Sequence, residues 1–89
     1  MTNTISKKRE RLFDKLREIY YDFDRIYGEY RNEHKYNENI RKDAERMLMY
    51  VWAFRDVEEY MTIEWLEFAI ERSQRLLNSL REKIQKEEA

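Results

Sequence analysis

The chain has 89 residues, 42% charged and 42% apolar, with a net charge of −1 and no cysteine. That is room for one domain (1–89) with a thin core; it excludes disulfides and thiolate chemistry, and its near-neutral balance gives no global attraction to nucleic acid or anionic membrane. No run approaches the ~20 apolar residues of a membrane-crossing helix, and the opening MTNTISKKRERLF is charged where a signal peptide is apolar, so a soluble, intracellular and cytoplasmic chain is expected.

One glycine and no proline favour long helices joined by short turns. Abundant Glu, Arg, Lys and Ile with few Gln suit a thermophilic protein and equally any charged helical bundle. The first helix is predicted over about 5–35. Ile5, Leu12, Leu16, Ile19, Phe23, Ile26 and Tyr30 fall on steps of three and four after one step of seven, which is one stripe of a helix. Phe13, Tyr20, Tyr27 and His34 repeat every seven residues beside it and widen the stripe enough for two packing neighbours. Gly28 falls on the solvent side; either the helix runs through it or it ends there in a left-handed cap. Tyr30 and His34 keep the register and favour continuity.

The stretch NEHKYNEN marks the first turn, where Asn37 and Asn39 are both suited to capping the next helix. That second helix is predicted over about 38–60, with a core line of Ile40, Ala44, Met47, Val51 and Phe54. Thr62 is an N-cap for a third helix over about 62–87, with Glu64 favourable in its first turn. Its stripe is Ile63, Leu66, Ile70, Ser73, Leu77, Leu80 and Ile84, and Arg81, Lys83 and Lys86 crowd its last turns, where the helix dipole favours cations. Short turns make antiparallel neighbours. The expected fold is therefore an all-α, up-down-up antiparallel three-helix bundle, assembling as a dimer.

The second helix contains MLMYVWAF, residues 47–54. Helical spacing continues on both sides, so eight apolar residues visit every side of one helix. Met47, Val51 and Phe54 take the core line; Met49, Trp52 and Ala53 point away from it. Trp65 and Phe68 likewise lie off the stripe of the third helix. Met49, Trp52, Tyr60, Trp65 and Phe68 are thus expected to form an aromatic patch near the corner between the second and third helices. Such patches mark binding sites, and Trp and Tyr are enriched among interface hot spots. From Asp56 to Glu71 there are six acidic residues and no basic one, so Asp56, Glu59, Glu64 and Glu67 are expected to rim the patch. Burial of the same aromatics within one subunit, by an oblique crossing of the first helix, is the competing reading.

Catalytic signals are absent. His34 is the only histidine, and no Glu-x-x-His pair exists for a di-iron site. DFDRIYG opens like a calcium loop at Asp22 and Asp24 but has Ile26 at the next ligand position and Tyr27 at the required glycine. One glycine cannot build a phosphate loop, and Ser6, Ser73 and Ser79 have no base partner. Small three-helix dimers that are enzymes, chorismate mutases among them, place Arg, Lys and Gln on core-facing positions; here the core lines are apolar apart from Arg9 and Ser73. No cofactor or metal is expected. The expected function is a non-enzymatic interaction or assembly module of adaptor or inhibitor type, whose partner is a second copy or another protein with a basic surface. The alternative is nucleic-acid binding or regulation through Lys7, Lys8, Arg9, Arg11, Lys15 and Arg17, which would lie along a phosphate backbone, although Glu10, Asp14 and Glu18 interrupt that positive field.

Overall fold

A computed structural model describes residues 4–33, 35–56 and 62–88; for 4–6 and 51–56 it describes the backbone alone. Three helices follow in order: α1 (Thr4–Asn32), α2 (Glu38–Asp56) and α3 (Ile63–Glu88). No strand occurs among the described residues. The helices run up, down and up along a body of 53 × 23 × 18 Å, so α1 and α3 are parallel and α2 opposes both. α3 packs along α1 most extensively and along α2 less so, while α1 and α2 touch least.

The helix ends follow from local chemistry. Asn37 caps α2: its Oδ1 accepts from the backbone N–H of Asn39 at 2.9 Å and of Ile40 at 3.3 Å, satisfying amides that have no partner inside the helix. Thr62 caps α3 in the same way, with Oγ1 accepting from the Trp65 backbone N–H at 3.1 Å. α1 stops at Asn32, three residues before the predicted end at 35. The Glu33 N–H turns back to the Tyr30 carbonyl at 3.3 Å, a tightened last turn, and residues 35–37 are needed outside any helix to deliver the Asn37 cap. α1 runs through Gly28 without a break, and a Cβ there would meet nothing within 4 Å. The glycine therefore serves neither a turn nor a close approach.

The core follows the stripes read from sequence. Ile19, Phe23 and Tyr30 of α1, Ile40 and Met47 of α2, and Leu77 and Leu80 of α3 form one buried cluster, with Tyr20, Ile26, Tyr27, Ala44, Ile70, Leu76 and Ile84 packed against it. Leu16, Leu66 and Ala69 form a second, covered by Leu12, Phe13, Tyr50, Trp65 and Ile70. Ser73 lies between Ala69 and Leu77 on the same face of α3. It is completely buried, and its hydroxyl has no hydrogen-bond partner among the described residues.

One buried group departs from the apolar core expected of α2. Asp43 is 2% exposed. Its Oδ2 accepts from Lys83 Nζ at 2.7 Å and Ser79 Oγ at 2.9 Å, and Arg46 lies 3.8 Å from Oδ1. A carboxylate enters an apolar interior only with such partners. This triad fixes the register of α2 on α3.

Candidate interaction surface

Over residues 38–50, α2 is buried on one side and bare on the other. Met47 is 2% exposed, while Met49, two positions on and roughly 200° around the helix, is 74% exposed and its neighbour Leu48 50%. Between α2 and α3 a groove of about 380 Å³ opens, lined by Asp43, Arg46, Met49, Tyr50, Arg72, Arg75, Leu76, Ser79 and Lys83. Its wall is mainly cationic, because Lys83 already compensates the one carboxylate. The Arg72 guanidinium lies 5.1 Å above the Phe68 ring. It therefore joins Phe68, itself 48% exposed, to the groove and to Met49.

Of the residues assigned to the patch from sequence, Met49 and Phe68 are exposed; Arg72, which lines the groove together with Met49, lies over the Phe68 ring. Trp65 is half-buried against the Leu16–Leu66–Ala69 cluster, so part of its ring area already belongs to the monomer. The side chains of Trp52 and Asp56, as well as Glu59 and Tyr60, lie outside the described residues, as do the side chains of Val51 and Phe54 and all of His34. Of the acidic rim, Glu64 and Glu67 are exposed, and Glu67 stands 3.7 Å from Lys8 of α1, both groups more than half exposed. The acidic start of α3 and the basic start of α1 thus meet within one chain. Arg46, Arg72 and Arg75 were not singled out in the sequence reading. They come from two helices, and a search for charge runs does not join them. The described surroundings of Met49 and Phe68 therefore carry both signs of charge.

The basic residues of α1 divide. Lys7, Lys8, Arg11 and Lys15 fall within an arc of about 100°, but Arg9 and Arg17 point elsewhere. Arg17 is committed to Asp14 at 2.6 Å and to the Phe13 ring at 5.4 Å.

The opposite end of the bundle carries a second cavity of about 290 Å³ lined by Tyr27, Tyr30, Arg31, Lys35, Tyr36, Asn37 and Arg41. Beside it, Glu87 Oε1 accepts from the Tyr30 hydroxyl at 3.1 Å and from Asn37 Nδ2 at 2.6 Å, so one carboxylate at the end of α3 ties the end of α1 to the cap of α2. The Asn37 and Tyr30 hydrogen bonds hold the Glu87 carboxyl below its ordinary value. Burial, followed by the bond to that carboxylate, pushes the Tyr30 phenol up to about 12. At the first turn of α2, Arg41 and then Tyr36 hold Glu38 down at about 2. These groups are engaged with one another, and the cavity is the underside of a structural joint.

Among the described residues no group of His, Cys, Asp or Glu side chains is placed to hold a metal ion, and no helix is long and apolar enough to cross a membrane. Comparison with protein-family models, curated proteins and solved structures found no match to this chain.

Proposed function

We propose that the chain is a non-enzymatic interaction module that assembles through the outer side of α2 and the adjoining face of α3, with a second copy of itself as the first partner. The observation that carries this reading is the exposure of Met49 at 74% and of Phe68 at 48%, with Arg72 lying over the Phe68 ring and lining the same open groove as Met49. Exposed apolar area of this kind marks interaction sites. Symmetric homodimers are the commonest soluble assemblies. An adaptor or inhibitor role in the cytoplasm is consistent with such a face.

The test is molar mass by sedimentation across a wide concentration range, for the wild-type chain and for Phe68→Ser and Met49→Ser. Association that strengthens with concentration and weakens in both variants supports the reading. A strictly monomeric chain at high micromolar concentration removes self-assembly. A salt-sensitive mobility shift of duplex or single-stranded nucleic acid, lost in Lys7→Glu with Lys15→Glu, would transfer the function to the basic side of α1 instead.

A further inference from the structure

Six residues of α3 lie on the side turned away from its buried line: Glu64, Glu67, Phe68, Glu71, Arg72 and Arg75. At about 100° per residue they span an arc of roughly 140°, and all six are exposed. Along the helix the acids Glu64, Glu67 and Glu71 precede the bases Arg72 and Arg75, with Phe68 near the middle. The centre of the Glu64–Glu67 pair and that of the Arg72–Arg75 pair are about 12 Å apart along the axis.

We infer that this face is self-complementary, and that two copies pair through it with their α3 helices antiparallel. The inference rests on the self-assembly reading above and specifies its surface. A twofold axis crossing this exposed face at the height of residues 69 and 70 sets Glu64 of one copy opposite Arg75 of the other, and Glu67 opposite Arg72. The same axis repeats both pairings in the other direction, as an isologous interface requires. Phe68 of the second copy then falls beside Glu71 and Arg72, at the mouth of the groove where Met49 is exposed. The Arg72 guanidinium already stacks on an aromatic face within its own chain, so an aromatic ring is a group it accepts. A parallel arrangement would oppose acid to acid and base to base, and charge therefore selects the antiparallel one.

The contacts these groups make within one chain leave room for the exchange. Among the described residues, Glu64 has no ion-pair partner and Arg72 has no carboxylate. Glu71 and Arg75 pair at 2.6 Å across one turn with both side chains more than 60% exposed. Glu67 and Lys8 stand at 3.7 Å, equally open to water. Exposed pairs of this type are held weakly.

The experiment uses sedimentation equilibrium on the purified full chain and two charge-reversed variants, Glu64→Arg with Glu67→Arg, and Arg72→Glu with Arg75→Glu. Far-ultraviolet circular dichroism confirms that each remains helical. Wild type is expected to double its 11.3 kDa mass as concentration rises. Each variant alone is expected to self-associate about tenfold more weakly or worse. Mixed in equal amounts they are expected to recover a dimer, because Arg at 64, 67, 72 and 75 of one variant then meets Glu at the same four positions of the other. The neutral variants Glu64→Gln and Arg75→Gln serve if a reversal melts the helix, and each is expected to weaken association less. A wild-type dimer unaffected by either reversal would overturn this pairing and leave self-assembly through another surface standing. Helical variants that fail to associate when mixed would overturn it as well. A monomer under all conditions would overturn both this inference and the reading beneath it.

Discussion

Among the described residues, the contacts between helices differ from one end of the bundle to the other. Where α1 and α3 finish and α2 begins, the helices are joined by directional bonds: Tyr30 and Asn37 to Glu87, and Ser79 and Lys83 to the buried Asp43. At the other end, the described contacts between helices are apolar, around Leu16, Leu66 and Ala69, with one exposed ion pair between Lys8 and Glu67. Directional bonds fix register, because a one-turn slip would leave Asp43 buried without partners. Apolar contacts give cohesion with less geometric demand. Met49 and Phe68 lie beyond the bonded end, on the part of α2 and α3 that the polar joints leave open for a partner.

The comparison can be broken most forcefully in the core. Leu80→Ala, in the cluster next to the polar joints, is expected to cost about 3–5 kcal/mol in urea unfolding. Leu66→Ala at the other end is expected to cost about 2–3 kcal/mol, since half-buried Trp65 and Tyr50 pack against this cluster and can relax into the space the deletion leaves. Equal losses would argue that both ends pack with the same rigidity. Next in size is the buried carboxylate. Lys83→Met should lose about 2 kcal/mol, less than a fully buried pair would, because Lys83 is one third exposed. Asp43→Leu combined with Lys83→Met should recover most of that loss, since an apolar replacement of a buried pair is often neutral. A double-mutant cycle measures the coupling directly.

The two caps sharpen the contrast further. Thr62→Ala should cost about 1 kcal/mol and Asn37→Ala about 1.5 kcal/mol, the excess arising because Asn37 also donates to Glu87. Titration reports on the same joint from both sides of neutrality. The Glu87 carboxyl is held below its ordinary value, so its stabilisation is present above the unfolded value of 4.5 and is lost as pH falls through the lower folded value. The Tyr30 phenol runs the opposite way. Its folded value of about 12 exceeds the unfolded 10.0, so its stabilisation is complete below pH 10 and is lost as pH rises towards about 12. Tyr30→Phe should abolish the alkaline step, as thermal melts across that range would reveal. The smallest change is a gain. Gly28→Ala is expected to stabilise α1 by up to ~1 kcal/mol, because the added methyl meets nothing.

Much of this fold is legible in the residues. The steps of three and four gave the buried lines, with Leu16, Ile19, Phe23, Ile40, Met47, Leu66, Leu77 and Leu80 all enclosed. Asn37 and Thr62 cap the helices they precede. Asp43 escaped notice because its chemistry argues for solvent, yet its position, three after Ile40 and four before Met47, is a core position of α2. Spacing outweighed residue type there, and the partners that allow it sit 36 and 40 residues away on α3. The cationic groove was hidden for a related reason: Arg46 and Arg72 meet only once two helices pack. Trp65 looked stranded because its angle on α3 is off the line of Leu66 and Ser73. Its ring reaches the Leu16–Leu66–Ala69 cluster one turn before the small Ala69, which leaves space beside it.

Two methionines, separated by the single residue Leu48, test the central geometry most directly. Met47 is 2% exposed and Met49 74%, and oxidation to the sulfoxide follows exposure. Dilute protein treated with peroxide and sampled by mass spectrometry should oxidise Met49 far faster than Met47 while the helices persist. Equal rates at the two sulfurs would contradict an α2 that is buried on one side and bare on the other.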